Sequence, residues 1–286
     1  MRRREQLRLA FDGIARHYDR HAALEQEVGR RLLERCAFSR REPERILDLG
    51  CGSGAAAEAL KRKYRRAEVI GLDLAPSMLA GLKRRSGFLR PLRAVCGDIA
   101  ALPFAPSSAD LLFANLVDYW APDRGAVFDE YRRVLRPGGL LLFSTFGPDT
   151  LGELRAAAAA AGAALTLPKF PDLLEIGDAL VAAGFSEPVM DMENITLQYR
   201  SIHDLVAELE GTGSAWLAGG WDQLTADAAG LELAWADLRT DGRYPLGFEI
   251  VYGTAFGPAE GQPRRTAGGD VATFSVDSLL KSRRIR

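Results

Sequence analysis

An α/β fold around a mostly parallel sheet is predicted by three observations in this 286-residue chain. Between Arg45 and Phe146, short apolar runs rich in β-formers alternate with helix-patterned segments, and parallel neighbours need such crossovers. Each run is followed by Gly, Pro or Asp, the punctuation expected where a strand ends. The third observation is Ile46-Leu47-Asp48-Leu49-Gly50-Cys51-Gly52-Ser53-Gly54, which reads as a buried strand opening into a glycine-rich turn and then a helix.

The elements follow in order. Gln6–Phe38 carries apolar residues at helical spacing (Leu7, Phe11, Ile14, then Leu24, Val28, Leu32), which predicts one or two helices before the first strand. Strands are expected at Arg45–Leu49, Glu68–Leu72, Leu92–Cys96, Leu111–Ala114 and Leu140–Thr145. Leu154–Leu165 is alanine-rich, and strong helix formers predict a surface helix there. Pro171–Gly184 reads as an amphipathic helix with a terminal glycine, and Ile195–Tyr199 as a strand. Ser201–Arg239 looks helical with a GTGSAWLAGG break, and Tyr244–Phe256 reads as a long, aromatic-bearing strand. The expected organisation is one domain over 1–257, with 1–44 a helical lid, 45–150 a cofactor-binding core and 200–240 a helical substrate cap. Residues 258–286 are expected to form a flexible basic tail.

Composition narrows the function classes. Hydrophobic residues make up 47% of the chain, enough for one sizeable core. A formal net charge of −1 provides no global attraction for nucleic acid or an anionic membrane, and neither partner is expected. Cys36, Cys51 and Cys96 are too few and scattered for a disulfide framework, and lack the paired spacing of a zinc site, so no metal is expected. No apolar run reaches the ~18 residues of a membrane span, and MRRREQLRLAFDG lacks a secretory apolar segment. A soluble protein of the reducing cytoplasm is expected.

The glycine turn carries the chemistry. Gly50, Gly52 and Gly54 let backbone approach a ligand, and the helix after them offers unpaired N–H groups. The spacing also satisfies G-x-G-x-x-A, which leaves a dinucleotide open. Asp73, ending the second strand, can accept from both ribose hydroxyls of either cofactor type. Asp98, in GDIAALPF, can accept from an adenine amino group, with Ile99 against the ring. Asp48 favours a cationic amino group and would repel a pyrophosphate. A nucleophilic Cys51 is disfavoured because no histidine is near it in the strand–turn–helix reading.

DLGCGSG, GLDLAPSML, GDIAALPF and LRPGGLLLFSTF resemble the successive motifs of class I S-adenosylmethionine-dependent methyltransferases. The resemblance implies a Rossmann-like sheet of about seven strands, the last antiparallel, with an N-terminal helical lid and a helical insert before the last strand. It also implies that Asp48, Gly50, Gly52, Asp73, Leu74, Asp98, Ile99 and Asn115 line a pocket for S-adenosyl-L-methionine.

Four further segments, FDGIARHYDRHAALEQEVGRRLL, IGDALVAAGFSEPVMDMENITLQYR, ELEGTGSAWL and LAWADLRTDGRYPLGFEIVYG, resemble the biotin-pathway carboxyl methyltransferases acting on malonyl-[acyl-carrier protein]. That implies methyl transfer to the free carboxylate of a malonyl thioester on acyl-carrier protein, or on malonyl-coenzyme A, with S-adenosylhomocysteine as the other product. Such a carboxylate is already ionised near pH 7, so alignment matters more than a general base. Arg243, in GRYPL, is the candidate to grip it in a planar fork, or else a turn-exposed charge. Tyr18 is placed at the methionyl carboxylate or as a lid residue. His17, Trp120 and Tyr244 are expected on the substrate side, with packing as the alternative for His17 and Trp120.

Asp118-Tyr119 stand before Trp120 where related sequences carry an apolar residue and then Gln or His. A carboxylate there is unfavourable beside a carboxylate substrate unless it points away. Acyl-carrier protein is acidic, so KRKYRR (Lys61–Arg66) and KRR (Lys83–Arg85) are either docking candidates or solvated helix faces. Alternatives are an assembly factor of respiratory complex I or another small-molecule methyltransferase, a non-catalytic binding module, and a nicotinamide-dependent dehydrogenase. GRYPL favours the carboxyl methyltransferase.

Overall fold

The apolar runs become strands β1 (Arg45–Leu49), β2 (Glu68–Asp73), β3 (Arg93–Cys96), β4 (Ala109–Asn115), β5 (Leu135–Phe146), β6 (Ser186–Tyr199) and β7 (Tyr244–Phe256). They form one sheet of order β3-β2-β1-β4-β5-β7-β6. The first five pair in parallel, and β7 runs antiparallel to both β5 and β6. The computed structural model describes residues 2–39, 41–162, 165–217, 221, 228–258, 264–266 and 269–271.

Interior strands read as continuous apolar runs because both sheet faces are covered. Neighbouring residues alternate between the two cores: Ile46, Leu111 and Leu140 pack into one, Leu47, Leu112 and Leu141 into the other. The first core receives α3 (Ala23–Glu34), α4 (Ala55–Lys63), α5 (Pro76–Arg85), α7 (Gly152–Ala160), α9 (Ile202–Gly211) and α10 (Ala228–Ala234). The second receives α6 (Arg124–Val134) and α8 (Leu173–Ala182). Two more helices, α1 (Arg2–Ile14) and α2 (Tyr18–His21), precede α3.

The segment before β1 folds as three helices where one or two were expected, because the chain turns at residues 15–17 and again at Ala22, and three further elements differ from expectation for identifiable reasons. β5 begins at Leu135 because residues 136–139 bulge out between the pairs Ala109↔Leu135 and Leu111↔Leu140, and Gly138 there takes φ 70°. β6 begins at Ser186, ahead of the expected Ile195. As an edge strand it admits Glu187, Asp191 and Glu193, the last two paired with Arg35 and Arg31, and these charges mask its apolar alternation. The alanine-rich helix α7 is no purely surface element, since Leu154, Ala157 and Ala158 are buried.

The GTGSAWLAGG break falls between α9 and α10, partly outside the described residues. Within the expected tail, residues 264–266 and 269–271 pair antiparallel, and residues 259–263, 267–268 and 272–286 lie outside the described residues. Among the described residues no helix is long and apolar enough to cross a membrane.

The topology reverses direction between β1 and β4, with β2 and β3 laid to one side and β5 to the other. In such sheets, ligands bind outside the carboxyl ends of the strands at this switch point. The glycine turn leaves β1 at that place.

Candidate active site

At the carboxyl end of β1 the chain turns through Gly50, Gly52 and Gly54, with φ of 67°, 51° and 89°. The ends of β1 and β2 are locked together by Asp73. Its Oδ2 accepts from the Gly52 N–H at 2.9 Å and its Oδ1 from the Ala75 N–H at 2.9 Å. Each oxygen keeps a further lone pair. At Gly52 a Cβ would meet only the Tyr18 ring, at 3.4 Å, so the turn presents bare backbone to the space beneath that ring.

Two adjoining cavities open here. The larger, about 330 Å³, is lined by Gly50, Gly52, Asp73, Leu74, Asp98, Ile99, Asn115 and Trp120, with Leu7 and Phe11 of α1 also contributing. The smaller, about 250 Å³, is lined by Asp48, Gly29 and Ser53 and shares Tyr18, Glu25, Gly50, Gly52 and Asn115 with the first. Asp98 and Ile99 line the larger alone and Asp48 the smaller alone, so the shared residues stand between them. The wall beside Trp120 is aromatic: Phe11 meets it edge-on at 5.1 Å, and Tyr119 links it to Phe146 and Phe170.

The charge pattern is as specific as the shape. Asp48 is 1% exposed, and among the described residues its Oδ2 and the buried Oε2 of Glu25 accept no hydrogen bond. Burial raises Asp48 to about 7, an effect opposed by the Ala57 N–H and reinforced by Asp73. Burial also raises Glu25 to about 7, and Asp73 to about 6 against the pull of its backbone donors. Orphaned buried carboxylate oxygens are costly unless a cation or donor arrives, so the space is built for a positively charged ligand.

A stability prediction follows from these shifts. In the unfolded chain these acids lose their protons near pH 4, whereas in the ligand-free fold Asp48 and Glu25 hold theirs to about pH 7. Between those values the native state binds more protons, so these two groups make stability fall as pH rises, and the penalty is complete above about pH 7. Asp48→Asn/Glu25→Gln should therefore match the parent Tm near pH 4 and exceed it at pH 8 in ligand-free thermal unfolding. A constant offset across that range would rule the effect out.

Residues 47–143 match the family model described as a methyltransferase domain. A relative named malonyl-[acyl-carrier protein] O-methyltransferase, from Halorhodospira halophila, is 40% identical over 285 residues, covering 97% of this chain and 96% of its own length. A second relative of that name, from Gallionella capsiferriformans, is 42% identical over 262 residues, covering 88% and 90%. The chain belongs to the malonyl-[acyl-carrier protein] O-methyltransferase family.

Among solved structures, the YcgJ protein of Bacillus subtilis superposes with TM-score 0.55 at 17% identity, over 80% of this chain and 98% of that one. The [4+2]-cyclase SpnF superposes with TM-score 0.54 at 20% identity, over 82% of each chain. These likenesses show the fold alone. That a cyclase shares it means the sheet does not decide the chemistry; the similarity that identifies this methyltransferase family runs through the lid and the late strands as well.

Within this methyltransferase, several residues singled out from sequence have other local roles. Asp98 lines the larger cavity, but its Oδ1 accepts from the Ala100 N–H at 2.9 Å and its Oδ2 pairs with Arg4 of α1 at 3.0 Å. Asn115 lines both cavities, yet its Nδ2 donates to the Glu25 carbonyl at 2.8 Å and its Oδ1 accepts from Ser144, tying α3 to the sheet. Gly54 lines neither cavity; it packs against Leu82 of α5, whose Cα would lie 2.9 Å from an added Cβ. His17 is exposed and also lines neither.

Tyr244 is buried, its hydroxyl donating to Glu232 at 2.9 Å. Arg243 lies outside both cavities, just before β7, half-buried and without an ion-pair partner among the described residues. Asp118 points away from the space: it is 1% exposed and held by Arg124 at 2.8 Å.

Glu25 is among the lining residues that sequence reasoning passed over, while Phe11 and Tyr119 were noted without being placed in the cofactor pocket. Glu25 had a signal, because it continues the helical stripe of Val28, Gly29 and Leu32, which are buried in α3 beside the half-buried Glu25. An acid on an apolar stripe is a candidate for a buried functional charge.

Proposed function

We propose that this chain transfers the methyl group of S-adenosylmethionine to the free carboxylate of a malonyl thioester carried by acyl-carrier protein, giving the malonyl methyl ester and S-adenosylhomocysteine. The observation that carries the reading is the pair of orphaned buried oxygens, Asp48 Oδ2 and Glu25 Oε2, in a space continuous with the Asp73 and Asp98 cavity. An adenosyl group bearing a cationic amino-acid arm suits both ends. The acceptor comes from the named relatives, which span nearly the whole chain. Three unpaired cysteines suit a reducing compartment, the cytoplasm.

S-adenosylmethionine, when bound, supplies an electrophilic methyl group on a sulfonium centre. Asp73 is the ribose acceptor, Leu74 and Ile99 flank the adenine, and Asp48 and Glu25 face the cationic arm. No side chain has to remove a proton, because a malonyl carboxylate is ionised near pH 7. The protein aligns the two reactants. Tyr18, Phe11, Tyr119 and Trp120 exclude water, which favours a step in which opposite charges cancel.

Arg243 remains the proposed clamp for the acceptor carboxylate. It sits where β7, running against its neighbours, starts at the carboxyl edge of the parallel strands, and its guanidinium is uncommitted among the described residues. Arg243→Met should lower kcat/KM for the malonyl thioester by about a hundredfold, the scale of a lost charge-assisted pair. S-adenosylhomocysteine affinity should stay unchanged; full turnover by the variant would remove the role. The function itself is tested by S-adenosylhomocysteine formation with malonyl- against acetyl-carrier protein. Turnover of malonyl alone supports it, and turnover of neither refutes it.

A further inference from the structure

The lid over the cavities carries cations that pair with no acid among the described residues. In Arg16-His17-Tyr18-Asp19-Arg20, Tyr18 lines both cavities while Arg16, His17 and Arg20 are exposed. Arg3, also exposed, stands at the rim of the larger cavity. Nearby acids are committed elsewhere: Glu5 and Asp12 to Arg8, Asp19 to Arg85 and Ser53, Asp98 to Arg4. Among the described residues Arg3, Arg16 and Arg20 have no ion-pair partner.

The two basic runs noted in the sequence divide in space. Lys61–Arg66 ends α4 and leads into β2, whose Glu68 N–H bonds the Glu44 carbonyl just before β1. That run therefore borders the amino ends of the strands, the edge opposite the cavities. Strands of five and six residues separate the edges by about 17–20 Å. In the second run, Arg85 of α5 reaches Asp19 of the lid at 2.7 Å, so α5 extends the basic surface beside the lid with exposed Lys83 and Arg84.

We infer that the outer face of the lid, centred on Arg16 and Arg20, is the docking surface for the acidic carrier protein, and that Lys61–Arg66 is not. The inference rests on the function proposed above. A carrier seated there delivers its acyl arm beside the cavity mouth, and complementary charge guides the encounter.

The test compares malonyl-carrier protein with malonyl-N-acetylcysteamine, a thioester without a protein. For Arg16→Glu/Arg20→Glu, KM for the carrier substrate should rise at least tenfold, with kcat and the small-thioester kcat/KM unchanged. Arg16→Lys/Arg20→Lys should stay within threefold of the parent, and so should Arg62→Glu/Lys63→Glu at the opposite edge. Added salt should raise the parent's KM for the carrier alone. An unchanged carrier KM, an equal loss on both substrates, or a rise confined to the opposite-edge variant overturns the inference. Carrier binding followed by fluorescence anisotropy separates the two claims. If the parent turns over neither thioester, the function fails, while the surface stands only if binding still depends on Arg16 and Arg20.

Discussion

Asp73→Ala should weaken S-adenosylmethionine binding by about 10²–10⁴-fold, the largest single effect expected at this site. Asp73 is pinned by the Gly52 and Ala75 N–H groups, so its two free lone pairs are held in place before any ligand arrives. Hydrogen bonds to a charged acceptor are worth roughly 1.5–3 kcal/mol each, and two of them give about 3–6 kcal/mol, which is that range of affinity. The variant also frees the Gly52 N–H and loosens the glycine turn. Asp73→Asn should fall between, since it keeps one acceptor but turns an amide toward a backbone donor. Calorimetric titration with S-adenosylhomocysteine measures the loss; an affinity within threefold of the parent would exclude a ribose role.

Gly54→Ala should act on stability before it acts on the ligand. The residue has φ 89°, which costs a residue with a Cβ about 1–2 kcal/mol. The new methyl would sit 2.9 Å from the Leu82 Cα and collide with the Leu82 Cδ1. Backbone on that side cannot retreat easily, because Gly81 already lies against Ser53, whose Cα is 3.1 Å from the position of a Cβ there. Overpacking adds about 1–3 kcal/mol. A total near 3 kcal/mol lowers Tm by roughly 6–12 °C at 2–4 °C per kcal/mol. In a Leu82→Ala background the same substitution should cost less, and that coupling identifies the contact. Equal costs in both backgrounds would place the strain elsewhere.

What could be read directly was whatever local pattern encodes. β1 and β7 begin and end where the apolar runs do, because a strand buried on both faces must be apolar along its length. The glycine turn was legible because left-handed backbone after a strand demands glycine. Asp73 and Asp98 were legible as lining residues because acids at or just after the carboxyl ends of strands stand where the topology opens a crevice. β6 was only half legible, since its first half carries charges that pair with Arg31 and Arg35, residues distant in sequence.

The remaining features depend on which distant element covers a residue, and no local window contains that. Gly54 shares its motif with Gly50 and Gly52, but α5 passes over it and turns it into a packing position. Asp118 stands one residue from the lining Tyr119, yet Arg124 draws it into the protein. Glu25 is one of 38 acids in the sequence, and only the packing of α3 against β4 and the Asn115 side chain buries it beside the ligand space. Period and turn chemistry are properties of a few consecutive residues, so the sequence alone determined the parallel strands of the core, the glycine turn and the family resemblance. The burial of a single charge is a property of the assembled layers, so the tertiary structure alone decided that Glu25 joins Asp48 and Asp73 at the cavity while Asp118 does not, and which lid arginines have no ion-pair partner among the described residues.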